Sequence, residues 1–200
     1  MSTIKSKKVQ LGTDANSANN FTIYQPSTPD GTLRIGVGNA DSPTEVGQFN
    51  ANGYKPATVR TFSVKKTSNQ GISSNVYTKC TWDSENWDIG SDFDLANSKF
   101  QPTVAGYYHL IVNVRWDGST NYTRGIVKLY KNGSNYKRVG GHANETANQN
   151  YNSNGSALVY LNGSTDYVEV YIYITASTAV IGNTNDDELV WWDGYLVAQA

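Results

Sequence analysis

From Tyr107 to Trp116 apolar and polar positions alternate, so Tyr108, Leu110, Val112, Val114 and Trp116 fall on one side of an extended chain. A period of two marks a strand with one face buried. The same alternation turns Val127 and Leu129 inward in the next strand, and Val168, Val170, Ile172 and Ile174 inward in a strand from Tyr167 to Thr175. No stretch combines a 3.6-residue period with capping residues. The expected fold is therefore all-β, with many antiparallel strands packed as a sandwich or jelly roll.

Residues 1–57 read differently. Val9 and Leu11, Phe21 and Ile23, then Leu33, Ile35 and Val37, then Val46 and Phe49 form brief alternating segments. Turn formers separate them at 14–20, at Pro29-Asp30-Gly31, at 39–43 and at Asn52-Gly53. Strands this short bury little by themselves and become stable when neighbouring chains or repeats cover them. Residues 1–57 are thus expected to be a small β-rich stalk, and residues 58–200, where the strands lengthen, a head domain.

The faces turned away from the head's core carry information of their own. Ile111 in the first long strand, and Tyr171 and Tyr173 in the last, point outward, where a lone sandwich would be wet and polar. Such rows are expected to be the interface between identical chains related by closed rotational symmetry. Long loops are expected at 117–122, 140–154 and 176–187, alternating with tight Asn132-Gly133 and Asn162-Gly163 hairpin turns. Because successive antiparallel strands alternate direction, all three long loops share one end, the usual place for binding residues.

Composition removes several function classes. Sixteen basic and 17 acidic residues leave a formal charge of -1, which offers no net field for nucleic acid or an acidic membrane. The lone cysteine, Cys80, allows no internal disulfide. No apolar run approaches the ~20 residues that span a bilayer, and the N-terminus lacks the apolar stretch of a secretory signal. The chain is expected to be soluble, without membrane insertion, and made without export.

Trp82, Asp88, Phe93, Phe100, Gly106 and Tyr108 follow one another at spacings similar to the signature of the C1q/TNF-like jelly-roll family. Trp82 stands where that family has Phe, and Leu110 and Val112 where it has aromatics. Trp192-Asp193-Gly194-Tyr195-Leu196-Val197 resembles the family's closing strand, and Asp88-Ile89-Gly90 and Lys131-Asn132-Gly133 resemble its turns. The resemblance covers about residues 58–200. It implies a ten-stranded antiparallel jelly-roll sandwich that assembles as a homotrimer. The preceding segment lacks the Gly-x-y repeat of collagen-stalked members. Its Asn-, Gly- and Thr-rich strands instead resemble the shafts of phage tail fibres, some of which end in C1q-like tips.

Candidate chemistry points to recognition. His109 lies on the strand face opposite Tyr108, as an interface or surface residue. His142 lies in a long loop without an evident nucleophile, so no enzyme is expected. Asp83, Glu85, Asp88, Asp92 and Asp94 match no metal-loop spacing. Asp186, Asp187 and Glu188 are the better candidates for a calcium ion, and no cofactor is otherwise expected. Trp116, Tyr122, His142, Asn144, Tyr151, Asn183 and Asn185 sit on the long-loop end. Flat rings and amides of this kind suit sugar hydroxyls and pyranose faces. The implied protein is a trimeric receptor-binding tip of a tail fibre, carried on the virion after synthesis in a bacterial cytoplasm. Its expected partners are itself, other virion tail proteins and a host-surface glycan or protein. The alternative is a structural trimerisation or capping module without a ligand.

Overall fold

Period-two alternation is realised as strands along the whole chain. The computed structural model describes residues 8–12, 14–16, 19–39, 41–56, 58–120, 122–147, 151–182 and 189–200, excepting the side chains at 117–120, 122, 144–147, 178 and 179. Two compact units divide at Val59/Arg60, against the boundary expected at 57/58.

The N-terminal unit is a five-stranded antiparallel meander, β1 (Lys8–Leu11), β2 (Phe21–Tyr24), β3 (Leu33–Val37), β4 (Thr44–Asn50) and β5 (Gly53–Pro56), paired in chain order. Its polar turns are closed by side chains. Asp14 Oδ1 accepts from the Asn16 N–H at 2.8 Å, and Asp30 Oδ1 accepts from the Thr32 N–H at 3.0 Å. Among the described residues its buried positions are Asn20, Thr22, Gly36 and Gly47, none with an apolar side chain.

The head is built from β6 (Thr61–Lys65), β7 (Gln70–Gly71), β8 (Thr78–Lys79), β9 (Ser84–Ile89), β10 (Phe93–Asp94), β11 (Lys99–Phe100), β12 (Ala105–Thr120), β13 (Tyr122–Lys131), β14 (Ser134–Ala147), β15 (Tyr151–Asn162), β16 (Val168–Thr175), β17 (Thr178–Ile181) and β18 (Trp191–Gln199). These segments exceed the ten strands implied by the motif because two-residue pairings such as β7 and β10 stand as separate elements. One sheet runs β7-β17-β12-β18-β6-β9, with β15 also paired to β12; the other runs β10-β11-β16-β13-β14, with β8 on β16. Together they form a jelly-roll-like sandwich.

Its core holds the residues that the alternation turned inward. Tyr108, Leu110, Val112, Val114, Trp116, Val127, Leu129, Val168, Val170, Ile172 and Ile174 are all buried. At the centre, Phe62 stacks on Phe100 with ring centroids 4.5 Å apart and meets Trp192 edge-on at 5.2 Å. Phe93 and Trp82 approach Trp192, and Tyr108 meets Phe100. The spaced aromatics of the sequence motif are therefore one contiguous cluster. Gly194 makes room for it: a Cβ there would strike the Phe62 ring and the Leu110 side chain. Cys80 is enclosed in the same core, and burial pushes its thiol up to about 12.

The two predicted hairpin turns part ways. Asn132 and Gly133 both have positive φ, 53° and 74°, the geometry that a two-residue type I′ turn demands. Asn162 instead ends β15, and its Oδ1 accepts from the N–H groups of Ser164, Thr165 and Asp166, organising a longer connection to Val168. Among the described residues, the expected long loops at 117–122 and 140–154 are largely strand as well. β12 continues through Thr120, β14 through Ala147, and β15 begins at Tyr151, with Trp116 opposite Tyr151 and Tyr122 opposite Ala147. Polar side chains report lost burial, whereas pairing depends on a partner in register, so hydrogen-bonded ladders outrun the core. The strand ends at Thr120, Tyr122, Ala147, Tyr151, Thr175 and Thr178 lie together, opposite the Asn132-Gly133 end.

Two outcomes test this account. Phe62→Ala is expected to lower unfolding free energy by about 3–5 kcal/mol in denaturant titration, since it empties the centre of the aromatic cluster. The Asp166 carboxyl is held below its ordinary 3.8 by hydrogen bonds from Lys131, at 2.8 Å, and Asn132. Its contribution is complete above 3.8 and fades as pH falls through the lower native value. The stability gap between wild type and Asp166→Asn is therefore expected to be full at pH 7 and to close in that acid range.

Candidate functional site

Three surfaces of the head gather chemistry-bearing side chains. The first is the outer face of the seven-stranded sheet. Because neighbouring strands pair in register, Leu158, His109, Tyr195, Thr61 and Ile89 form a row across β15, β12, β18, β6 and β9. Leu158, Tyr195 and Ile89 are 47%, 46% and 51% exposed. Beside the row, Tyr107 and Tyr160 pair with ring centroids 5.5 Å apart, and Ile111 lies half-buried. His109 Nδ1 is 3.1 Å from the Tyr195 hydroxyl on this face.

The second surface is the outer face of the other sheet, where Tyr171 and Tyr173 lie. Tyr130 stacks on Tyr171 at 4.0 Å, Tyr77 meets Tyr173 at 5.0 Å, and Lys128 Nζ stands 4.6 Å from the Tyr77 ring centre. These rings cover one another as a cross-strand ladder. The structure thus places Ile111 on one sheet and Tyr171 and Tyr173 on the other, and does not bring the three together. The signal for the first face was present in Tyr107, Leu158, Tyr160 and Tyr195, whose positions alternate with core residues; only the strand order reveals that they adjoin.

The third surface is the end where the long strands project. Trp116, His142 and Tyr151 converge there. Trp116 Nε1 donates to Ser153 Oγ at 3.0 Å, Ser153 Oγ is 3.0 Å from His142 Nδ1, and the His142 and Tyr151 rings are 4.9 Å apart. Trp116 is 0% exposed, which corrects the expectation that its ring meets a ligand: it lies on the inward side of β12, whose alternate side chains fill the core. His142 and Tyr151 are partly exposed. Tyr122 and Asn144 lie in β13 and β14, but their side chains fall outside the described residues, as do Asn183, Asn185, Asp186, Asp187 and Glu188 altogether.

Asp83, Asp92 and Asp94 accept hydrogen bonds from nearby residues. Burial raises the Asp83 carboxyl, but hydrogen bonds from Ser68 and Thr67 outweigh it and hold the group low. Hydrogen bonds from Asn97 hold Asp94 low. Burial pushes the Asp92 carboxyl up, against a hydrogen bond from the Thr103 N–H and the Arg60 guanidinium 3.6 Å away. Among the described residues no cluster of three His, Cys, Asp or Glu is placed to hold a metal ion.

The sequence profile of the C1q domain matches residues 61–197. Among solved structures, the globular domain of zebrafish complement 1qA protein is similar at 13% identity and TM-score 0.53, covering 72% of this chain and 100% of that one. Murine APRIL is similar at 11% identity and TM-score 0.52, covering 70% and 100%. The Eiger TNF from S. frugiperda is similar at 12% identity and TM-score 0.52, covering 71% and 94%. At these identities the likeness is one of fold. No curated sequence relative matches the chain.

Ser153→Ala takes an acceptor from a buried indole N–H and a partner from His142. A loss of about 1–2 kcal/mol is expected in thermal or denaturant unfolding.

Proposed function

Through residues 61–197 the chain belongs to the C1q domain family, and from that membership we propose that it is the homotrimeric receptor-binding tip of a phage tail fibre. Three heads close around a common axis through the outer face of the seven-stranded sheet. The projecting strand ends then face a host-surface glycan or protein. One observation carries the reading: the row Leu158, His109, Tyr195, Thr61 and Ile89 crosses five paired strands, and Leu158, Tyr195 and Ile89 in it stay exposed in the single chain. A soluble protein covers such a surface most simply with copies of itself.

Binding comes from repetition and needs neither a cofactor nor a catalytic step. Three weak sites, each of ~mM affinity, gain strongly when tethered at effective concentrations of order mM. His142 and Tyr151 supply ring and hydrogen-bonding surface at the strand ends. The Asn- and Gly-rich meander ahead of the head supports a fibre setting, with other virion proteins as partners and assembly in a bacterial cytoplasm. The burial of Trp116 favours a second reading, a capping module without a ligand of its own.

Light scattering of the double variant Leu158→Lys, Tyr195→Lys is expected to show one chain where wild type shows three, with far-ultraviolet dichroism retained. A variant that keeps three chains contradicts the interface. Purified trimer is expected to block phage adsorption, and His142→Ala with Tyr151→Ala to weaken that block by roughly tenfold or more without changing the mass. Wild-type protein that blocks nothing favours the capping module.

A further inference from the structure

The N-terminal sheet separates its residues by chemistry more sharply than the head does. Register places Val9 opposite Ile23, Leu11 opposite Phe21, Ile23 opposite Ile35, Leu33 opposite Phe49, and Phe49 opposite Tyr54, all on one face. Lys8, Arg34, Glu45 and Lys55 fall on the other, where Arg34 reaches Glu45 at 3.0 Å. The apolar face carries no charge. It is also open: a groove of about 610 Å³ is lined by Val9, Ile23, Leu33 and Phe49 among others. Phe21 is 49% exposed, and the Tyr54 ring lies flat over Gly47.

We propose that this face is an interface between copies of the chain, three N-terminal sheets closing around an axis with Val9, Phe21, Leu33, Phe49 and Tyr54 inward and the charged face outward. The occupant follows from three observations. No apolar side chain of the unit is buried among its described residues, so the sheet lacks a second layer, and a single layer does not sustain a fold. The face carries apolar side chains and no charge, hence suits another of its own kind rather than a charged partner. Its exposed apolar side chains amount to roughly 600 Å² per copy, so three copies hide ~600 Å² at each of three contacts, too little for a stable interface alone and sufficient once the head tethers the sheets. The inference rests on the trimeric head, which tethers three such sheets at effective concentrations of order mM.

Cysteine bridging in the full chain tests it. Cys80 is enclosed and its thiol is pushed up to about 12, so an added cysteine is the only reactive one. Under mild oxidation Leu33→Cys is expected to form disulfide-linked pairs at ~10-fold or greater yield than Lys55→Cys on the opposite face. In a second measurement, Leu33→Lys with Phe49→Lys is expected to speed amide exchange across 21–50 by ~100-fold while light scattering still shows three chains. Equal bridging from the two cysteine variants, or unchanged exchange, at a wild-type mass of three chains overturns the sheet interface and leaves the head trimer standing. A wild-type mass of one chain overturns both.

Discussion

A strand has two faces, and a sandwich has one interior. That mismatch governs this protein, because apolar side chains occupy both faces of several strands. In the head, inner faces meet around Phe62, Phe100 and Trp192, which consumes one apolar face of each sheet. The other face of the seven-stranded sheet keeps Tyr107, Leu158, Tyr160 and Tyr195 in contact with water. Among the described residues of the N-terminal meander, the five strands form one layer. Both units thus leave apolar side chains in water that their own packing does not bury.

The aromatic cluster explains why a thinly spread sequence motif defines a domain. Trp82, Phe93, Phe100, Tyr108 and Trp192 are far apart in the chain, yet they touch in pairs across both sheets. Each is large, so their mutual fit fixes how the sheets pack, and Gly194 is small because Phe62 crosses it. Constraints of this kind survive when most other positions drift, which is consistent with a shared fold at 13% identity.

Charge plays a local part. Asp83, Asp92, Asp94 and Asp166 each serve a turn or a neighbouring cation, so their carboxylates organise connections instead of converging on a reacting centre. His109 and His142 are likewise tied to Tyr195 and Ser153. What the head leaves unspent is surface: rings, amides and apolar rows.

The alternation of residues sufficed for the strands and for which side of each enters the core, since the side-chain period of a strand is set by backbone geometry alone. It also revealed the motif and the Asn132-Gly133 turn, whose positive φ values few other residues tolerate. Which outer faces adjoin was beyond its reach. Ile111 and Tyr171 look equivalent along the chain, but β12 and β16 enter different sheets, so their outward side chains diverge. The fate of Trp116, and the strands that replaced the expected loops, were likewise decided by partners distant in sequence. Local pattern encodes the conformation and sidedness of a strand, whereas its neighbours are selected only when the whole chain packs.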